Sequence, residues 1–494
     1  MRNEDDLRAA ALALRALDFG KVDSESEPDL DRRFVRTADF DRFVEGGTAL
    51  VLGAKGTGKS ALFELLTKHE DVARQLAPRA LGDVIVAAGT GFSDLSEIAT
   101  GDIERLKSEA GFDHDRLWRL YIAVRAVLAA GRAVDITRGP ARDLLVAIGG
   151  AKDLRIGPVL RSLWQLAVGD APAEVRIAAG GATVTLKGGK KQLDVVSLLQ
   201  DLEISLSAAG KRLWLLFDKV DEIFPADRAE RVRSLEGLMT ASMAIRRTFP
   251  AIQPKVMLRT DIWRDLDFTN KSHLIDKQVE LRWSRDELAW LILKRAIAAS
   301  EVRSYVAARV PEIDEYPVEM LDREQRDRGL QVILPATVYP GEREAEILDW
   351  VSARVTDAQG TALPRETILL CNLAVRNQRA IDAAPGEGGS LLAREAIRDA
   401  FPDVSRLRCE TYLAEFPLLR EHFRRFDGQT TSTFTREELG VLMEGLKPSG
   451  DDLLRDLHEI GVLQPLRGNV ATAAEFEVPR LYRIGLGLVI RGRA

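Results

Sequence analysis

A parallel five-stranded α/β sheet with helices on both faces, followed by a helical lid domain and a C-terminal winged helix, is predicted by three features of this sequence. Five apolar, β-branched runs alternate with helical patterns up to about residue 298. The first of them, Thr48 to Leu52, feeds the glycine-rich run Gly53-Ala54-Lys55-Gly56-Thr57-Gly58-Lys59-Ser60 and then a helical pattern from Ala61. Beyond that point strands give way to amphipathic helices, and the last hundred or so residues read as helix, turn, helix and two short extended pieces.

The composition suits a multidomain globular protein: 494 residues, 46% of them hydrophobic, with a net charge of −6. A mildly acidic chain advertises no global affinity for nucleic acid, so any basic surface must be local. Two cysteines and five histidines are too few and too scattered for a disulfide framework or a four-ligand zinc site. The acidic start Met1-Arg2-Asn3-Glu4-Asp5-Asp6 is unlike a signal peptide, and no apolar run has the length of a membrane span. A cytoplasmic location is expected.

Taken in order, Leu7, Leu12, Leu14 and Leu17 form a short helical pattern in an N-terminal arm, residues 1–33. Phe34-Val35-Arg36 stands about a dozen residues before the first strand, where an apolar side chain can cover an adenine or simply join the core. Val84 to Ala88 reads as the second strand. An insertion of about residues 90–210 follows. It holds helical stretches at Leu117 to Leu128 and Val159 to Trp164 and a hairpin pairing Val175–Ile177 with Val184–Leu186 around Gly180-Gly181. This insertion is expected to meet a partner or another copy of the chain, or to decorate the surface.

Arg212 to Phe217, Lys255 to Leu258 and Gln278 to Leu281 supply strands three, four and five, completing an α/β domain over 34–298. A helical lid domain is expected over 299–390, ending in the Ala383–Ser390 gap rich in glycine and alanine. In the winged helix, 391–494, Thr435-Arg436-Glu437-Glu438 has a capping-box pattern, Asp451 to Ile460 forms the second helix, and extended pieces lie at Val462–Leu463 and Phe476–Val478.

The chemistry begins at the glycine-rich run. Gly53 to Ser60, placed between a strand and a helix, is a P-loop: its amides and those extending to Ala61 can wrap phosphates, Lys59 can reach the β and γ oxygens, and the Ser60 hydroxyl can hold Mg²⁺. Asp218 ends the buried run Leu213 to Phe217, which puts a carboxylate at a strand tip beside that Mg²⁺. Hydrolysis needs a group to position water, and the place directly after Asp218 holds Lys219 instead of an acid. Asp221 and Glu222 are then the candidates. Arg259 ends the fourth strand and is placed to sense a γ-phosphate. Arg365, at the start of a helix in the lid, is placed to reach the nucleotide, whereas nothing in its spacing distinguishes His458 from a surface histidine.

The motifs Gly53 to Ser60, Leu215-Leu216-Phe217-Asp218-Lys219-Val220-Asp221-Glu222-Ile223 and Leu258-Arg259-Thr260-Asp261 resemble those of AAA+/STAND P-loop ATPases, with the Asp-x-x-Asp-Glu spacing most similar to the NACHT form. Phe19-Gly20, Phe34-Val35-Arg36-Thr37, Leu258-Arg259-Thr260-Asp261-Ile262, Trp283-Ser284-x-x-Glu287-Leu288, Pro364-Arg365 and Val478-Pro479-Arg480-Leu481-Tyr482-Arg483 resemble a largely uncharacterised family of bacterial P-loop ATPases. The resemblance implies ATP/ADP and Mg²⁺ as cofactors and a switch between a closed ADP form and an assembling ATP form. It also implies a place in anti-phage defence, with assembly into a homo-oligomer or action through a separate effector protein. Lys219 departs from the pattern of efficient hydrolases and implies slow turnover.

The rival expectation is an origin-recognition-like ATPase that binds DNA through the winged helix. It is not favoured, because the recognition helix carries Asp451, Asp452, Asp456 and Glu459 against Arg455, although the basic residues Arg420, Arg424, Arg425, Arg480 and Arg483 leave DNA contact through another face open.

Overall fold

The computed structural model describes residues 4–45, 47–89, 113–148, 174–179, 182–187, 194–222, 228–341, 344–381 and 389–489. Its strands in chain order are β1 (Leu50–Gly53), β2 (Val84–Ala88), β3 (Glu174–Ala179), β4 (Ala182–Lys187), β5 (Arg212–Phe217), β6 (Ile252–Arg259), β7 (Gln278–Glu280), β8 (Thr433–Thr435), β9 (Gln464–Pro465) and β10 (Glu475–Glu477). The chain separates into two compact units, one made of residues 38–53 and 59–281, the other of 1–37, 54–58 and 282–494.

The first unit is a layered α/β structure built on one parallel sheet. Five strands lie in the order β2-β5-β6-β1-β7, and every neighbouring pair is parallel. Because alternate residues of a strand face opposite ways, Leu213, Leu215 and Phe217 of β5 share one face with Val256 and Leu258 of β6. Helices His114–Ala130, Val195–Ala208 and Arg228–Thr248 cover that face. Trp118 and Tyr121 set their rings 6.0 and 6.4 Å from that of Phe217. On the opposite face Trp214 meets Phe43 of helix Ala38–Glu45, ring centroids 5.5 Å apart.

Two of these helices fall in the stretch expected to be an insertion. Helix His114–Ala130 is buried on most sides and helix Val195–Ala208 along Leu198, Leu199, Leu202 and Leu206, so both join the core rather than decorating it. The hairpin lies where expected, with Val175 opposite Leu186 and Ile177 opposite Val184. The expected helix at Val159–Trp164 and the Gly180-Gly181 turn fall outside the described residues.

Strand β6 begins three residues earlier than the sequence suggests. Pro254, which lacks a donor and reads as a breaker, sits inside it opposite Leu215, its carbonyl accepting from Arg246 at 3.3 Å. Beside it Lys255 is fully buried, its Nζ donating to the Thr48 carbonyl at 2.6 Å and lying 4.0 Å from the Trp214 ring. Dehydration drives the lysine well below its ordinary pKa.

The second unit holds one continuous apolar core that includes Ala10 near its start and Leu488 near its end. Its N-terminal arm is tied down at Phe19-Gly20: Asn372 accepts from the Phe19 N–H at 3.1 Å and donates to the Gly20 carbonyl at 2.8 Å, while Arg295 donates to the Phe19 carbonyl at 2.6 Å. Gly20 has φ +79, and a side chain there would strike Arg33 and Glu27. Val35 joins this core and is 3% exposed.

The C-terminal winged helix is built from helices Arg436–Leu442 and Gly450–Glu459 with an antiparallel sheet in the order β8-β10-β9. Thr435 and Glu438 close the expected capping box. Strand β8, only three residues long, carries no signal that sequence alone could separate from a loop. Among the described residues no helix is long and apolar enough to cross a membrane.

Candidate phosphate-binding site

Sheet order fixes where a ligand can sit. Strand β1 lies between β6 and β7, the point where the order of connection reverses, and the crevice at the carboxyl end of such a strand is the usual binding place in parallel sheets. Gly53 ends β1 and Arg259 ends β6, and the parallel register sets them directly opposite one another.

From this edge helix Lys59–Lys68 departs. Lys59 Nζ donates to the Gly53 carbonyl at 2.8 Å. Dehydration dominates its environment and lowers its pKa to about 8; Asp218, Asp221 and Asp261 favour the ammonium, and Arg259 opposes it. The Ser60 hydroxyl donates to the Asp218 carboxylate. Burial raises the Asp218 pKa, against Ser60, the Lys59 ammonium and the Lys219 N–H. A hydroxyl and a carboxylate in hydrogen-bond contact at a sheet edge are two hard oxygens within reach of one cation, so these residues fit Mg²⁺.

Lys219 adopts φ +56, a left-handed conformation unusual for a lysine. The chain therefore reverses immediately after Asp218 and makes a single turn, Val220–Glu222, with the Glu222 N–H donating to the Lys219 carbonyl at 3.1 Å. That turn returns Asp221 to the charge cluster around Lys59 and Asp218, while Glu222 is exposed. Arg259 is held by Asp261 through Nε at 3.1 Å and Nη2 at 2.6 Å, a two-point pairing with a nearby acid.

Residues 54–58 of the loop pack within the second unit. Gly56 and Gly58 have φ +91 and +99, values that only glycine adopts without strain. Thr57 is buried, its hydroxyl donating to the Ala54 carbonyl at 2.9 Å and its carbonyl accepting from Trp283 Nε1 at 2.9 Å. Trp283 belongs to the motif Trp283-Ser284-x-x-Glu287-Leu288, in which Ser284 and Glu287 cap helix Arg285–Ala296; its bond to the loop is the role the motif does not spell out. A methyl group at Gly56 would stand 3.1 Å from Arg365 Cβ and 3.4 Å from Glu366 Oε2. Arg365, the second residue of helix Pro364–Ala380, makes no ion pair among the described residues. His458 is occupied locally, its Nδ1 bonded to the Leu463 carbonyl at 2.9 Å.

The Lys59 environment sets a pH dependence. Below about pH 8 the side chain is an ammonium in the free protein; above it the amine is neutral, and phosphate binding must take up a proton. Affinity for a nucleoside triphosphate is expected to fall by up to about tenfold per pH unit from about pH 8 toward 10, and Lys59→Arg should flatten that decline. Titrations at several pH values with a fluorescent triphosphate read both slopes.

No protein-family model matches the chain. A curated relative, the putative transposon gamma-delta 80.3 kDa protein of Escherichia coli K12, is 24% identical over 297 residues, covering 56% of this chain. The chain spans 39% of that relative's length. Among solved structures, the Aeropyrum pernix ORC1 protein in complex with DNA aligns over 93% of each chain at 13% identity, with a TM-score of 0.35. The Aeropyrum pernix ORC2 protein aligns over 90% of this chain and 89% of its own, at 12% identity and a TM-score of 0.32. Cdc6p from Pyrobaculum aerophilum covers 89% and 86% respectively, at 11% identity and a TM-score of 0.29.

Proposed function

We propose that this chain is a nucleotide-controlled switch ATPase that binds ATP on Gly53 to Ala61 and hydrolyses it slowly. The observation that carries the proposal is the convergence of Lys59, Ser60, Asp218, Asp221 and Arg259 into one cluster at the carboxyl ends of β1, β5 and β6. Backbone amides of the loop and Lys59 hold the phosphates; Ser60 and Asp218 hold Mg²⁺. Bound Mg²⁺ supplies charge neutralisation to the phosphate oxygens. Arg259 exchanges its contact with Asp261 for the γ-phosphate, and Arg365, which makes no ion pair among the described residues, adds a cation beside loop residue Gly56.

Asp221 is the water-orienting acid in this proposal, since it shares the field of Lys59 while Glu222 is exposed. Turnover is expected at or below the low end of the common enzyme range, about 1 s⁻¹, because Lys219 occupies the usual acidic position. Asp221→Asn should lower phosphate release about a hundredfold with nucleotide affinity retained, and Glu222→Gln should change it little. The opposite ranking would transfer the role to Glu222.

The division of labour we propose is an N-terminal arm (1–33), a nucleotide-binding domain (34–298), a lid (299–390) and a winged helix (391–494). The resemblance to STAND ATPases, NACHT-like ones and a bacterial P-loop family among them, supports a cytoplasmic defence switch that assembles with itself or engages a separate effector. Two measurements on the purified chain test this reading: the nucleotide released on denaturation, and the particle mass in ATP and in ADP. About one nucleotide per chain and a larger particle in ATP are expected; no nucleotide and no affinity for any would end it.

In its winged-helix form the DNA-binding rival places helix Gly450–Glu459 in a groove. Asp451 and Asp452 are exposed on that helix, and the nearby cations are engaged by them, Arg436 with Asp451 and Arg455 with Asp452. Such a face repels phosphate.

A further inference from the structure

The loop residue Gly56 rests on the first turn of helix Pro364–Ala380, and the two side chains that meet it there have opposite charge. Arg365 Cβ would stand 3.1 Å and Glu366 Oε2 3.4 Å from a methyl group at Gly56. Glu366 is 4% exposed. Its Oε1 accepts from Arg408 Nη1 at 2.5 Å, whereas Oε2 has no partner among the described residues. Arg408 is 3% exposed; its Nη2 donates to the Tyr412 hydroxyl at 2.7 Å, and its Nε is likewise without a partner. One buried ion pair thus holds both an unused donor and an unused acceptor.

From Arg408 the contacts continue into the C-terminal segment. Tyr412 lies with its ring centroid 5.8 Å from that of Tyr482, which is fully buried. Helix Phe401–Glu415 also grips this segment through Ser405, whose hydroxyl accepts from the Gly485 N–H at 2.9 Å, and through Cys409, whose thiol donates to the Tyr482 carbonyl at 3.7 Å. A methyl group at Gly485 would lie 2.3 Å from the Ser405 carbonyl oxygen, so the two backbones are in direct contact. Asp357, buried and lifted to about pKa 6 by dehydration, completes the cluster and packs 3.1 Å from the Cβ position of Gly461, which follows the second winged-helix helix.

We propose that Glu366 and Arg408 are positioning residues that carry the occupancy of the phosphate loop to the C-terminal segment around Tyr482; this rests on the nucleotide reading of the loop given above. An arriving polyphosphate attracts Arg365 and repels Glu366. Neighbouring residues on a helix point about 100° apart, so the two forces turn the first helical turn in one sense. The displaced Glu366 has a second arrangement open to it, in which both of its oxygens take guanidinium N–H groups of Arg408, including the unused Nε. Adopting it draws the guanidinium away from Tyr412 and loosens the Tyr412–Tyr482 contact. The ligand supplies the differential interaction that any such two-state shift requires.

The test is hydrogen exchange on the full chain with and without ATP, alongside nucleotide affinity measured separately with a fluorescent triphosphate. In the wild type, ATP is expected to change amide exchange in residues 401–415 and 480–489 by about tenfold or more. The double variant Glu366→Gln/Arg408→Met removes both charges together, so no buried ion is stranded; it should bind ATP within about threefold of wild type while its ATP-induced change in those segments falls below about twofold. Tyr412→Phe should likewise reduce the change. A full-sized response in the double variant overturns the proposal, as does wild-type protein that binds ATP with no response in either segment. Absence of ATP binding in the wild type overturns the underlying nucleotide reading instead, and the affinity measurement distinguishes that failure.

Discussion

Lys59→Ala is expected to weaken ATP binding by about a hundredfold or more while leaving thermal stability close to that of the unaltered protein. In the proposed site the lysine supplies charge-assisted hydrogen bonds to phosphate, each worth about 1.5–3 kcal/mol, so losing two of them would remove at least 3 kcal/mol or so of binding free energy. Its contribution to folding has the opposite sign. The folded protein lowers the Lys59 pKa from 10.5 to about 8, so at neutral pH the ammonium is held less favourably than in the unfolded chain. That disadvantage is present in full below about pH 8 and disappears as pH rises through 10.5, which means alanine removes a strained charge along with one bond to the Gly53 carbonyl. Equilibrium titration and a thermal melt at pH 7 report the two effects separately. Unchanged affinity would remove the loop as the phosphate site.

The largest effect on stability is expected from Arg408→Met alone. Arg408 neutralises Glu366 in surroundings that water does not reach, and taking away one member of such a pair leaves a bare buried charge at a cost of about 3–5 kcal/mol. That is a large fraction of the 5–15 kcal/mol or so that stabilises an ordinary domain. Packing suffers as well, since the guanidinium lies 4.4 Å from the Tyr412 ring. Removing the second charge with Glu366→Gln in the same chain should recover most of the loss. Urea unfolding of the two variants followed by tryptophan fluorescence measures the difference, and a single variant as stable as the double would show that the ion pair is screened by water.

Much of this sheet edge is legible from residues adjacent in sequence. A P-loop is a continuous run whose chemistry depends on local order, and both the positive φ of Gly56 and Gly58 and the helix beginning at Lys59 follow from residues adjacent in sequence. The same holds for Asp218, placed at a strand tip by the apolar residues before it. Asp221 and Glu222 were not separable in this way. Their difference arises from the left-handed turn at Lys219, a backbone choice that a lysine does not announce. Arg259 was legible as a cation at the sheet edge, while its two-point hold by Asp261 depends on a helix that begins directly after it.

Short-range rules were enough for the α/β class, the five strands, the glycine-rich loop and the capped start of helix Arg436–Leu442: alternation, a glycine at positive φ, an N-cap and its partner three residues on. Which distant residues share a buried space emerged only from the folded chain. Helices 114–130 and 195–208 belong to the core rather than to a decoration because of the surface they cover, and Glu366, Arg408, Tyr412 and Tyr482 meet although more than a hundred residues separate the first from the last. Burial creates that distinction: a glutamate or arginine is an ordinary surface residue in any sequence, and it acquires consequence only when folding removes water and leaves one partner to satisfy it.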